Sequence, residues 1–249
     1  MYSPNTVRRT SETSPSVARA RRASFIGGTG EEGFGLALRL GKAGHQVVIG
    51  SRSEEKGASS AENAREILGG TADVAGTTNE AAARRGEVVF VTVPYEGQAD
   101  TYRAIKEHLA PGTIVCDTTS PLATAVGGKA WHVIRPWHGS AAEQAAAILE
   151  TGVRMTAGFH TISADALRAI DVPMDSDVMV CGDDAEAKAI VGGLIEDIPG
   201  MRWVDCGLLS QARIAESMTA LLISVNRQYR IHDSGFRITG RDGWGRPVG

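Results

Sequence analysis

The sequence predicts an α/β protein: a doubly wound, parallel sheet followed by a second, smaller C-terminal α/β domain. Three observations predict it. Apolar, β-branched runs alternate with helical patterns along most of the chain, which implies parallel strands joined by right-handed crossovers. Runs such as Glu87 to Val93 (E-V-V-F-V-T-V) are apolar without alternation, as in strands covered on both faces. From Ser24 to Lys56 the order is strand, glycine turn, helix, strand, and Gly28, Gly30 and Gly33 spell G-x-G-x-x-G. That context turns a common glycine pattern into a dinucleotide site of Rossmann type.

Composition sets the limits. The chain has 249 residues, 42% hydrophobic and 22% charged, with a net charge of −3, values ordinary for a globular protein. This charge argues against general binding to nucleic acid or a membrane surface, and no apolar run is long enough to span a bilayer. Four Trp and four Tyr leave few platforms for stacking single-stranded bases. Cys116, Cys181 and Cys206 are far apart in sequence and each sits in an apolar run. They read as buried thiols in a reducing, cytoplasmic compartment, with neither a disulfide set nor a metal site. Met1 to Arg22 is rich in Ser, Thr, Pro and Arg and is expected to be a disordered tail. Arg8-Arg9 is followed by no apolar segment, so an export signal is not expected. Gly240 to Gly249 is Gly-rich and expected to fray. The boundaries that follow are a tail at 1–22, a dinucleotide-binding domain at 23–157, a smaller domain at 158–240 and a tail at 241–249.

In chain order, Ala23 to Ile26 is a strand, the pattern through Leu36, Leu38 and Leu40 a helix, and Val47 to Ile49 a strand. Ala58 to Leu68 is Ala- and Glu-rich helix stopped by Gly69-Gly70. Ala72 to Ala75 is a short strand, and Asn79 is placed to cap a helix over Glu80 to Arg85. Glu87 to Val93 is a strand, Tyr102 to Leu109 a helix and Thr113 to Cys116 a strand. Pro121 to Gly139, with Trp131, His132, Trp137 and His138, lacks periodicity and reads as a partly buried loop. Ala141 to Leu149 is helix, Val153 to Phe159 strand and Ala164 to Ile170 a short helix. Val178 to Cys181 is a strand, and Gly182-Asp183-Asp184 opens a helix over Ala185 to Ile195. Two acids at a helix start read as caps that complement the dipole. Arg202 to Asp205 is a strand. Ser210 to Val225 is an amphipathic helix with Ile214, Met218, Leu221, Leu222 and Val225 on one stripe. That stripe fits core closure or a dimer face, and a homodimer is the expected assembly.

Ligands of such sheets sit beyond the carboxyl ends of the strands. Those ends are Gly27 to Gly30, Gly50 to Arg52, Val93 to Tyr95 and Asp117 to Ser120. The glycine turn lets a diphosphate approach the free N–H groups of the helix start. An NAD site places a carboxylate on the ribose 2′-hydroxyl about 20 residues on. Here the position 51 − 33 = 18 past Gly33 is Ser51, followed by Arg52, with Lys56 one turn later. A hydroxyl, a guanidinium and an ammonium hold a 2′-phosphate, which a carboxylate repels. The dinucleotide is therefore expected to be NADP(H).

The chain resembles the F420-dependent NADP reductases (F420H2:NADP oxidoreductases). The resemblance is carried by Gly27-Gly28-Thr29-Gly30 with Gly33, Gly50-Ser51-Arg52 with Glu54, Glu55 and Lys56, Val93-Pro94, His160-Thr161-Ile162, Cys181-Gly182-Asp183-Asp184, Ser217 to Asn226, and Gly235 to Gly240. It covers residues from about 23 to about 240. It implies hydride transfer between NADP(H) and the 5-deazaflavin coenzyme F420, with residues 158–240 completing the deazaflavin site. It implies that Thr29, Gly30, Glu31 and Glu32 bind the diphosphate and neighbouring groups, and that Val93, Pro94 and Ala164 lie near the nicotinamide half. It implies that His160 and Ile162 pack on the deazaflavin and that Ser234 with Gly235 borders it. Ser163 stands where the family often has Pro, Tyr95-Glu96-Gly97 replaces a frequent Trp-Glu-His or Trp-Glu-Ala, and Asp233-Ser234 replaces a frequent His-Ala.

Transfer between two bound cofactors needs little acid–base chemistry from the protein. His160 is the one titratable residue expected near the rings, in an orienting role, and no residue is singled out as catalytic in its own right. F420 carries a polyanionic tail, and Arg227, Arg230 and Arg237 are its candidate cations. Two other readings stay open: an NADPH-dependent reductase of another acceptor (a flavin, ferric ion or a small imine or carbonyl), and an NADP(H)-sensing regulator without enzymatic activity.

Overall fold

The computed structural model describes residues 20–149 and 152–240. The tails expected at 1–22 and 241–249 lie outside the described residues, apart from positions 20–22. There the structure corrects the boundary: the first strand, β1, spans Arg22–Ile26, because Arg22 already pairs with Gln46. The other strands are β2 (Gln46–Ser51), β3 (Val74–Thr78), β4 (Val88–Val91), β5 (Ile114–Asp117), β6 (Arg154–Ala157), β7 (Ser176–Gly182) and β8 (Met201–Asp205). They form one sheet in the order β3-β2-β1-β4-β5-β6-β7-β8. Neighbours are parallel except β6 and β7, which pair antiparallel through Thr156↔Gly182 and Ala157↔Cys181. The sheet therefore runs on past residue 157, where the sequence places a domain boundary.

Both faces of the sheet are covered. Phe25, Val88, Phe90 and Cys116 point into one apolar layer, and Ile26, Val89, Val91 and Val115 into the other. This is why those strands read as continuous apolar runs. The helices are α1 (Glu31–Lys42), α2 (Glu54–Ile67), α3 (Asn79–Arg85), α4 (Tyr95–Ile105), α5 (Ala141–Leu149), α6 (Ala164–Arg168), α7 (Ala185–Glu196) and α8 (Ala212–Tyr229).

Several elements differ from the expectation, each for a local reason. β3 lies further along than Ala72 to Ala75 because its register on β2 runs from Val47↔Val74 to Ser51↔Thr78. α2 starts at Glu54, capped by Ser53, whose Oγ accepts from the Lys56 N–H at 3.2 Å. α3 is capped by Thr78, whose Oγ1 accepts from the Ala81 N–H, and Asn79 is free to turn inward. α4 starts at Tyr95, directly after Pro94, seven residues before the expected 102. Its polar first turns hid it. Of the paired acids only Asp184 caps α7, accepting from the Ala187 N–H; Asp183 accepts instead from the Leu209 N–H, beyond β8. Of the cysteines, Cys116 and Cys181 are buried and Cys206 is half-buried. Cys181 and Cys206, distant in sequence, are close enough in space for each thiol to perturb the other. The α8 stripe divides: Leu222 is buried, whereas Ile214 and Leu221 are 59% and 55% exposed.

Two features fix the segment after β6. Phe25 and Phe90 stack at 5.1 Å, and Phe159 meets Phe90 edge-on at 5.7 Å. Phe159 is held at φ +68°, a left-handed conformation that costs a bulky residue energy unless packing enforces it. It turns the chain toward His160. Beneath it, Arg39 of α1 is buried, and its guanidinium donates to the carbonyls of Ala166, Leu167, Ala169 and Val172 at 2.7–2.8 Å. A buried carbonyl that loses its donor costs free energy. Arg39→Ala is expected to destabilise the fold by about 3 kcal/mol or more, read from the urea unfolding midpoint. A loss under about 1 kcal/mol, the scale of a surface substitution, would contradict the role given to this clamp.

Candidate functional site

The glycine turn lies between the end of β1 and α1. Gly27 sits at φ +73°, and a Cβ there would come within 2.6 Å of Val93 Cγ1. The Gly28 N–H donates to the carbonyls of Phe25 and Gly50, tying the turn to the end of β2. At Gly33 a Cβ would reach 2.3 Å from Thr92 Oγ1, so only glycine lets α1 approach β4 this closely. Gly30 is the N-cap of α1 and supplies no side-chain cap. The first N–H groups of the helix are thus left for an anion.

The turn opens on a cleft of about 440 Å³. Seven of the expected residues line it: Thr29 and Gly30 from the turn, Ser51, Arg52 and Lys56 from the end of β2 and start of α2, and Val93 and Pro94 after β4. Ser51 is buried, while Arg52 and Lys56 are exposed and form no ion pair among the described residues. The cleft also takes in residues that the sequence did not place at the nucleotide: Ser53, Asn79, Thr92, Glu96, Gly97 and Thr101. Asn79 was read as a cap. Its Oδ1 instead accepts from the Gly27 N–H at 3.0 Å, so it braces the turn from the end of β3. Its position past a strand end was the available signal.

A second pocket of about 200 Å³ gathers Glu31, His160, Ile162, Ala164 and Ser234. Ala164 thus lies with the His160 group, whereas Val93 and Pro94 line the larger cleft. Gly28 and Glu32 line neither pocket. Thr219 and Asn226, inside the Ser217 to Asn226 block but given no role there, and Asp165 and His232, outside any motif, add to the second pocket's polar lining. Thr219 fixes the wall: its Oγ1 lies 2.7 Å from the His160 carbonyl and 2.7 Å from Ser120 Oγ. Ser163 caps α6, and its Oγ donates to the His232 carbonyl.

His160 is 7% exposed, and burial pushes its imidazole down to about 3. The ring is neutral at physiological pH. Its Nε2 and Ser234 Oγ are buried without a hydrogen-bond partner. Buried polar atoms of a folded protein are normally paired, and both of these belong to residues of the second pocket. A ring with polar edges therefore fits this lining.

Two acids, Asp117 and Glu216, are buried. Asp117, at the end of β5, accepts from Tyr102 Oη at 2.7 Å, Gln98 Nε2 at 3.0 Å and the Thr119 N–H at 3.0 Å. Glu216 of α8 accepts from the N–H groups of Ala141 and Ala142, at the start of α5. Burial raises Asp117 to about 6 and Glu216 to about 8, against these hydrogen bonds. Burial also raises Glu32 to about 8, and its Oε1 lacks a partner. Asp117 opens one of the strand-end loops expected on the ligand side, whereas Glu216 belongs to no sequence motif beyond the helix pattern. Of the three candidate tail cations, Arg237 is committed to Asp175 and Asp177. Arg227 lies 4.2 Å over the Trp131 ring, and Arg230 ends α8 in a left-handed conformation.

A carboxyl raised on folding keeps its proton in the folded chain after the unfolded chain has lost it. Its contribution to stability is therefore present below the ordinary carboxylate range and falls as pH rises toward its raised value. Glu216→Gln is expected to flatten the decline in denaturation midpoint between about pH 4.5 and 8, the window set by its two values. Equal declines in variant and parent would refute a protonated Glu216.

Residues 22–121 match the family described as NADP oxidoreductase, coenzyme F420-dependent. An F420-dependent NADP reductase of Methanocaldococcus jannaschii is 42% identical over 221 residues, spanning 88% of this chain and 98% of the relative. One of Methanothermobacter marburgensis is 43% identical over 220 residues, with the same two shares. A crystallised protein of Arthrobacter sp. FB24 superposes with a TM-score of 0.73 at 24% identity, over 88% of this chain and 99% of that one. That last likeness shows the fold.

Proposed function

The chain belongs to the F420-dependent NADP reductases, and from this we propose that the 440 Å³ cleft takes NADP(H) and the pocket at His160 takes the deazaflavin ring of coenzyme F420. The enzyme transfers a hydride between these two molecules. The observation that carries the reading is that Gly30 and Glu31, consecutive in one turn, line the two pockets separately. Two ligands bound there meet at the glycine turn.

In this reading the N–H groups at the start of α1 hold the diphosphate. Ser51, Arg52 and Lys56 take the 2′-phosphate, and the absence of a competing ion pair at either cation among the described residues supports it. Val93 and Pro94 border the nicotinamide, and Ile162 and Ala164 pack on the deazaflavin. The two rings, when bound, supply the carbon that gives the hydride and the carbon that receives it. The protein aligns them and excludes water. His160, neutral and wedged by Phe159, offers its unpartnered Nε2 and holds no spare proton to give. Ser234 Oγ is the second polar contact. The 23–157 and 158–240 regions divide between the two ligands. The exposed Ile214 and Leu221 on α8 support a homodimer, and three free thiols fit a reducing cytoplasm.

Replacing both Arg52 and Lys56 by Ala is expected to raise the KM for NADPH by about 100-fold, the scale of two charge-assisted contacts, and to leave the KM for NADH unchanged. Steady-state kinetics with each nucleotide checks this; an equal rise for both removes the 2′-phosphate role. His160→Ala is expected to weaken F420 binding by about tenfold, the order of one lost buried hydrogen bond, with NADPH affinity retained. Titrating each ligand separately decides it, and equal losses would sink the assignment.

A further inference from the structure

Two of the three thiols meet on adjacent strands, outside the lining of both ligand pockets. β7 and β8 run parallel in a register that ends at Val180↔Asp205. The Cys206 N–H continues it by donating to the Val180 carbonyl at 2.8 Å. Cys181 and Cys206 each stand one residue past that last pair. Residues so placed have Cα atoms about 4.8 Å apart and side chains on one face of the sheet. Both indeed belong to one apolar layer, with Met155, Ala157, Leu209 and Met218. A disulfide needs Cα atoms roughly 4.4–6.8 Å apart. The backbone beyond the pair has slack, because a glycine follows each cysteine. The Gly182 N–H donates to the Gly207 carbonyl at 3.0 Å, and Gly207 sits at φ +89°.

The two thiols are unequal. Cys181 is fully buried, whereas Cys206 is half-buried beside Gly207 and Leu208, which are exposed. The Cys181 thiol beside it lowers the Cys206 thiol from its ordinary value, and Cys206 in turn pushes the Cys181 thiol up. Lys188 stands close by, its Nζ donating to Asp205 Oδ1 at 2.6 Å and to the Gly207 carbonyl at 3.2 Å. Its charge favours a thiolate at Cys206, and Asp205 opposes it. A partly open thiol of lowered pKa with a second thiol at hand is the arrangement that oxidises reversibly. Cys116 lacks every part of it: it is fully buried in the other apolar layer, and burial pushes its thiol far up.

The geometry points to a modification site: Cys181 and Cys206 form a reversible disulfide when the protein meets a hydroperoxide. The Cys206 thiolate attacks the hydroperoxide, an S–O bond forms as the O–O bond breaks, and the alcohol, or water, leaves with the thiol proton. The Cys181 sulfur then attacks the Cys206 sulfenic acid. The S–S bond forms, the S–O bond breaks, and the oxygen departs as water with the Cys181 proton. Two thiols lose two electrons and two protons in all, and the hydroperoxide is reduced. The bond ties the end of β8 to β7 just before the turn Leu209–Gln211 that leads into α8, so it fixes where that helix begins. None of this depends on which molecules the two pockets take.

The test exposes the folded parent to hydrogen peroxide, blocks the remaining thiols, and maps the digest by mass spectrometry. Three free thiols are expected to fall to one, at Cys116, with the Cys181 and Cys206 peptides joined and two hydrogens lighter. Dithiothreitol is expected to restore all three. Cys206 is expected to react at least about tenfold faster than Cys116. In Cys181→Ser, dimedone is expected to trap a sulfenic acid at Cys206, and in Cys206→Ser to leave Cys181 unlabelled; far-UV circular dichroism checks that each variant is folded, and the parent decides alone if either is not. Equal loss of all three thiols overturns the site, as does a disulfide that joins two copies of the chain. A Cys206 carried on to sulfinic acid while Cys181 stays free, or a pair that reacts only in urea, overturns it too.

Discussion

The buried guanidinium of Arg39 joins the two ligand regions. It sits on α1, the helix that begins at the glycine turn, and donates to four carbonyls of the segment around α6. That segment follows His160. Four bonds from one rigid, planar group restrict distance and rotation together. Without them, α6 is only five residues long and too short to hold itself. The position of the second pocket relative to the first thus depends on a side chain that touches neither.

The aromatic contacts act on the same segment from above. Phe25 and Phe90 belong to the central strands β1 and β4, and Phe159 closes against them. Its left-handed backbone is tolerated because the buried ring has nowhere else to go. The turn that results buries the His160 side chain, and burial in turn keeps the imidazole neutral. Conformational strain, packing and protonation state are one chain of cause here.

Charge is sorted by depth. Asp117 and Glu216 are buried and Glu32 is half-buried, and desolvation favours their protonated forms. Arg52, Lys56, Arg227 and Arg230 are exposed, and among the described residues none of them pairs with an acid. In the proposed arrangement, a phosphate-rich nucleotide and an anionic deazaflavin meet cations first. The exposed Glu31 is the exception, at the point where the pockets adjoin.

Much of the site was legible because its signals are local. The glycine turn, Ser51-Arg52 and the position of His160 past a strand end each depend on a few adjacent residues and a strand-helix rhythm. β4 and β5 were legible because a strand buried on both faces is apolar throughout. Other features depended on partners distant in the chain. The extent of β3 was set by its register on β2, and the turn by Asn79, fifty-two residues from Gly27. The start of α4 was masked by a polar first turn.

By itself, the sequence determined the layered α/β class and the glycine turn, and it placed at the end of β2 a hydroxyl and two cations that suit the proposed 2′-phosphate, because periodicity, glycine sterics and charge act over short stretches. Only the tertiary structure decided that Arg39 is a buried clamp, that Asn79 braces the turn and does not cap a helix, that Arg237 is spent on Asp175 and Asp177, and that Arg227 stands over Trp131. An arginine reads the same in a sequence whether solvated, clamped or stacked. Its surroundings are assembled from segments the chain brings together only on folding.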